Sequence, residues 1–182
     1  TTALARTLTD RGHTVVSGPD SQHDLFLINT CSVTENAEKE CRQLVRRAQR
    51  ISPKARVVVT GCYAQLRPEE VARIPGVAMV VGTHEKFDLA DHLESMDPAS
   101  VGVVIARDLS CTPAFAHAGA ELPEQAHADE RTRGFLKVQD GCDYTCTYCT
   151  IPEARGASRS CRCAFARFIA NVRLLSAYSR AP

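Results

Sequence analysis

Charge of one sign is what this sequence most lacks. Twenty-two Lys and Arg face 21 Asp and Glu, a formal net charge of +1. That balance gives no global electrostatic signal for a nucleic-acid partner. Long apolar runs are missing as well: none approaches the length of a membrane span, so no membrane role is expected. Tryptophan is absent and aromatics make up 5%, yet with 44% hydrophobic and 24% charged residues the composition is that of a soluble globular protein. There is no internal repeat, no low-complexity tract and no visible signal-peptide pattern. A length of 182 residues allows one large or two small domains.

Cysteine, by contrast, is abundant. There are nine, an odd number, and three fall within eight positions, Cys142-Asp143-Tyr144-Thr145-Cys146-Thr147-Tyr148-Cys149. Without a secretory signal, metal ligation is a better account than disulfides, and a reducing, cytoplasmic compartment is the expectation. The C-x3-C-x2-C spacing differs from the C-x2-C pairs of zinc ribbons and from the run found in bacterial ferredoxins. Three thiolates on one short loop hold three irons of a cubane cluster. No fourth cysteine is close upstream, so the last iron stays open for a small ligand, as a reactive cluster requires. The competing reading is a structural zinc site completed by Cys161 or Cys163, which spacing and position disfavour.

Residues 1–97 alternate helical and strand patterns, which predicts an α/β fold with a parallel sheet. Helices are expected over Ala3 to Arg11 with Gly12 as the stop, from Thr34 as N-cap up to Pro53, over Pro68 to Ile74, and over Phe87 to Met96. Strands are expected at His13 to Val16, Asp24 to Ile28, Arg56 to Thr60 and Ala78 to Val81. Residues 98–132 are rich in Ala, Pro, Glu and His and read as a linker, with one short strand at Val101 to Ile105. From 133 to 182 a strand at Arg133 to Gln139, the cysteine loop, and an apolar stripe at Phe165, Phe168, Ile169, Val172 and Leu175 read as the first β/α unit of a barrel or open sheet. The chain has no initiator Met and ends just past a helical segment, which reads as a fragment.

A second pair of cysteines follows from this organisation. Cys31 and Cys62 each end an apolar strand, and parallel strands finish on one edge of their sheet, so the two thiols are expected to converge. Cys31 also precedes a helix N-terminus. Either alone would read as a core cysteine, and two ligands leave a three-thiolate site one short. Cys41 lies on an apolar helix face with Ala37, Leu44, Val45, Ala48 and Ile51 and reads as core, while Cys111 is assigned no role and Cys161-Arg162-Cys163 reads as incidental. Arg42, Arg46, Arg47, Arg50, Lys54 and Arg56 form one basic stretch; Arg155, Arg159, Arg162, Arg167, Arg173 and Arg180 form another, beside the cysteine loop, where it can meet phosphate or an anionic cofactor. His13, His23, His84, His92, His117 and His127 show no metal-binding spacing.

Taken together these motifs resemble a known family. The cysteine triplet with Tyr148 before its last member resembles the radical S-adenosylmethionine signature. Its continuation, Ile151-Pro152-Glu153-Ala154-Arg155-Gly156-Ala157-Ser158-Arg159-Ser160, resembles that of the methylthiotransferases. Asn29-Thr30-Cys31-Ser32-Val33-Thr34 and Gly61-Cys62-Tyr63-Ala64-Gln65 resemble two of the three cysteine motifs of that family's N-terminal domain. Within the family the threonylcarbamoyladenosine tRNA branch is the nearest, ahead of the isopentenyladenosine tRNA and ribosomal-protein branches. The resemblance implies a [4Fe–4S] cluster on Cys142, Cys146 and Cys149 that binds and reductively cleaves S-adenosylmethionine, with Tyr148 near its adenine. It implies an auxiliary cluster on Cys31 and Cys62, whose third ligand is absent from this chain. It further implies a tRNA substrate methylthiolated at C2 of the modified adenosine, an electron donor such as flavodoxin or ferredoxin, and a monomer. Glu153 stands where an aromatic or apolar residue is commoner, and Cys161-Arg162-Cys163 and the tail from Ser176 fit the pattern poorly. This polypeptide alone is expected not to turn over.

Overall fold

The computed structural model describes residues 2–16, 18, 22–31, 35–97, 99–109 and 139–160. Its centre is a parallel sheet whose strand order, β1-β2-β3-β4, is also the chain order. The strands are β1 (Leu25–Thr30), β2 (Arg56–Gly61), β3 (Val77–Val81) and β4 (Val103–Ile105). The helices between and before them are α1 (Thr2–Asp10), α2 (Glu35–Ile51), α3 (Cys62–Leu66), α4 (Pro68–Ala72) and α5 (Leu89–Ser95), the last entered through a 3-10 turn at Glu85–Asp88.

Alternation along the strands sends side chains to two separate cores. Phe26, Ile28, Val57, Val59, Val77 and Val80 pack with Cys41, Val45 and Ala48 of α2, with Tyr63 and Ala64 of α3, and with Val71 of α4. Leu25, Leu27, Val58, Met79 and Val81 belong to the other core, with Leu8 of α1 and Leu89, Ala90 and Leu93 of α5. Covered on both faces, β2 and β3 read as unbroken Val-rich runs. Each fully buried Val in them is worth roughly 1.5–3 kcal/mol of transfer free energy. On the surface Arg11 joins α1 to α5 through Asp91 (2.7 Å) and Glu94 (3.3 Å).

Several expectations change. His13 to Val16 is not a strand: the segment is irregular, and Val16 is 59% exposed, because no strand among the described residues pairs with it. Leu44, expected on the apolar face of α2, is 41% exposed, while Cys41, Val45 and Ala48 carry the contact. Cys62 does not merely close a strand but opens the short helix α3. The sheet runs on past residue 97, since β4 pairs with β3 in parallel through Met79–Val103, Val80–Val104 and Val81–Ile105.

Beyond β4 the described chain resumes at β5 (Gln139–Asp140), continues through the cysteine loop to α6 (Ile151–Arg155) and closes at β6 (Arg159–Ser160), antiparallel to β5. The expected strand over Arg133 to Val138, the apolar stripe from Phe165 to Leu175, and Cys111, Cys161 and Cys163 lie outside the described residues.

One glycine fixes how β2 ends. Gly61 has φ 102° and ψ −168°, a conformation open essentially to glycine alone. A Cβ there would run into the backbone carbonyl of Thr30 and the side chain of Asn29. Gly61→Ala is therefore expected to destabilise the fold by about 1–3 kcal/mol, read as a lower urea midpoint at unchanged slope.

Candidate cysteine sites

Strand pairing puts two of the thiols side by side. Thr30 and Gly61 are register partners on β1 and β2, and each is followed at once by a cysteine. The Thr30 hydroxyl donates to the Thr60 carbonyl at 2.6 Å, pinning the two strand ends together. Cys31 is exposed and Cys62 is 8% exposed at the mouth of α3.

The cysteine loop is shaped by its own backbone. The Cys142 amide donates to the Gly156 carbonyl at 3.2 Å, and the Cys149 amide to the Cys146 carbonyl at 3.0 Å. Gly141, at φ 72°, lies where a Cβ would meet the carbonyls of Gly156 and Ala157, so the loop's entry and exit are in close contact. Asp143 accepts from the Ser158 amide at 2.7 Å, tying the loop to the segment before β6. Cys142 and Cys149 are half-buried, Cys146 is exposed, and Tyr148 is 90% exposed. The pendant α6 starts with Pro152 in its first turn and stops at Gly156, whose amide returns to the Pro152 carbonyl at 2.7 Å.

This unit docks on the edge that carries Cys31 and Cys62. Thr83, just past β3 and buried, donates its hydroxyl to the Ala154 carbonyl at 3.1 Å, and its amide is held by Gln65 at 2.8 Å. Arg159 meets the His84 ring at Nε2 (3.0 Å) and donates to the Arg155 carbonyl at 2.8 Å. Asp140 lies between two guanidinium groups, 3.6 Å from Arg155 and 3.8 Å from Arg159. Burial works against the Arg155 charge, but a hydrogen bond and charge interaction with Cys62, and the charges of Asp140 and Cys31, outweigh it and raise its pKa. The helix that carries Arg155, α6, packs against α3, which Cys62 opens.

Sequence reasoning placed Arg155 in a basic stretch and in the motif that follows the cysteine triplet, and gave Thr83 and His84 no role. The available signal was local: Arg155-Gly156 marks a helix end with a cation in its last turn. Cys41 is core, as its helix face indicated, and burial pushes its thiol up to about 11. Among the described residues no group of three or more His, Cys, Asp or Glu is gathered tightly enough for a single metal ion. A cubane makes a different demand, because each thiolate meets its own iron. Three thiols on one short loop, none in a disulfide and two of them bracketing a tight turn, suit that chemistry. Cys31 and Cys62 supply two such donors beside a cation.

Known proteins resemble this sequence over most of its length. The model of an uncharacterised protein family, UPF0004, matches residues 1–82. The threonylcarbamoyladenosine tRNA methylthiotransferase MtaB of Thermotoga maritima is 35% identical over 84% of this chain and 32% of its own length. Its counterpart from Bacillus subtilis is 39% identical over 75% of this chain and 29% of its own. Over most of its length the chain is similar to methylthiotransferases. A ribosomal protein uS12 methylthiotransferase from Solibacter usitatus is also similar, 31% identical over 85% of this chain and 32% of its own length. The chain spans about a third of the length of these methylthiotransferases. Among the described residues no helix is long and apolar enough to cross a membrane.

The docking contact carries a pH dependence. Burial, then the Arg159 charge, lower the His84 pKa; Glu85 and Asp140 oppose this. Above the ordinary histidine value of ~6.5 the ring is neutral whether docked or not, and the contact is complete. As pH falls below it, the undocked ring takes up a proton that the docked ring resists, so docking weakens. Protection of residues 150–156 against hydrogen exchange, taken relative to the intrinsic rate at each pH, is expected to fall as pH drops below about 6.5, and His84→Gln is expected to flatten that dependence.

Proposed function

We propose that this chain is part of a cytoplasmic radical S-adenosylmethionine methylthiotransferase that modifies tRNA, adding a methylthio group at C2 of N6-threonylcarbamoyladenosine. The observation that carries this reading is the docking of the Cys142–Cys149 loop unit on the edge that bears Cys31 and Cys62, through Arg155, Thr83 and His84. The names of the relatives from Thermotoga maritima and Bacillus subtilis support the tRNA branch.

In this reading Cys142, Cys146 and Cys149 hold a [4Fe–4S] cluster, and Cys31 and Cys62 contribute to an auxiliary one. The first supplies one-electron cleavage of S-adenosylmethionine when bound, with a small electron-transfer protein as donor. The remaining tasks fall to the chain's own residues. The amides of Cys142 and Cys149 are used inside the loop, which holds its thiols in a fixed order around the tight turn. Tyr148, 90% exposed, presents an aromatic face next to Cys149 on which an adenine can stack. Arg155 keeps a positive charge between the two cysteine sets, where thiolate ligands gather negative charge. Asp140 offsets the mutual repulsion of Arg155 and Arg159, so the two guanidinium groups stay together at the junction.

Anaerobic reconstitution of the chain is expected to give iron and sulfide in equal amounts, about four of each for the loop cluster. Cys142→Ala is expected to remove that share, and zinc in its place would overturn the reading. The substrate branch is tested in the whole protein, produced in cells lacking their own tRNA methylthiotransferases. Methylthiolated threonylcarbamoyladenosine in digested tRNA is the expected product. Methylthiolated dimethylallyladenosine, or a modified ribosomal protein, would move the assignment to another branch.

A further inference from the structure

Cys31 and Cys62 have a relation that metal binding does not require. They follow register partners on adjacent parallel strands, Thr30 and Gly61. Such strands lie about 4.8 Å apart, and a disulfide needs Cα atoms roughly 4.4–6.8 Å apart. A Cβ on Gly61 would run into the Thr30 carbonyl, so the two strand ends are in direct backbone contact there. The Thr30 hydroxyl donates to the Thr60 carbonyl at 2.6 Å and ties the same two strand ends together. The two thiols also differ in access. Cys31 is exposed, while Cys62 is 8% exposed.

We propose that Cys31 and Cys62 are a thiol–disulfide pair. When no metal holds them, a small-molecule disulfide of the glutathione class closes them into an intramolecular disulfide. Cys31, the accessible sulfur, attacks the reagent; a new S–S bond forms, the reagent's S–S bond breaks, and one thiol leaves. Cys62 then attacks the Cys31 sulfur and expels the second thiol. Two cysteine thiols are oxidised, one reagent disulfide is reduced to two thiols, and the two cysteine protons end on the released thiols. The closed form shields the pair from higher oxidation states, and reduction by excess thiol must reopen it before metal can enter.

The test uses the metal-free chain incubated with oxidised glutathione, then alkylated and mapped without reduction. The expected result is a Cys31–Cys62 linked peptide as the main product containing Cys31, returned to two thiols by dithiothreitol. In Cys62→Ser, which keeps the shape of the site, Cys31 is expected to stop as a glutathione adduct. Stable glutathionylation of Cys31 in the unaltered chain, or pairing of Cys31 with the loop cysteines instead of Cys62, would overturn the proposal. Neither result bears on iron binding by Cys142, Cys146 and Cys149, so this inference and the cluster reading fail separately.

Discussion

Parallel strands that enter from one edge of a sheet must finish on the other, and the chemistry of this chain gathers at that finishing edge. Cys31 follows β1, Cys62 follows β2, and Thr83 and His84 follow β3. No side chain needs to be aimed across the core to bring these groups together. The hydrogen-bond ladder does it, and the Val-rich strands fix the ladder's register by burying both faces. Gly61 makes the turn possible, because β2 must pass into α3 against the backbone of Thr30, where a Cβ does not fit. The placement of Cys62 beside Cys31 depends on that turn.

The second unit meets this edge through polar contacts. A hydroxyl to a helix carbonyl and a guanidinium to a ring nitrogen make the junction. A typical hydrogen bond of this kind contributes about 0.5–1.5 kcal/mol net. Summed, they hold the cysteine loop over the strand ends without welding it there. Polar contacts also make the junction responsive. Arg155, Asp140, Arg159 and His84 form one connected set of polar groups across it.

How far the fold could be read from the residues followed burial. The strands around Leu25–Thr30, Arg56–Gly61 and Val77–Val81 were legible because strands covered on both faces must be continuously apolar. His13 to Val16 has a similar short apolar pattern but no neighbour to pair with, and pattern alone cannot supply one. Leu44 shows the same limit on α2, where periodicity marks a wide stripe and packing uses only part of it. The cysteines themselves were conspicuous. Their polar neighbours, Thr83, His84 and Asp140, were not, since such residues are ordinary on any surface until a partner is seen.

The sequence by itself determined the donors: which thiols exist, that three sit on one loop, and that two more end buried strands. Those are local properties, set by residue type and spacing along a few positions. Only the tertiary structure decided that α6 packs against α3 and that Thr83 holds Ala154. Such contacts join residues far apart in the chain. They arise from how packed layers bring loop ends together, which no short window of residues encodes.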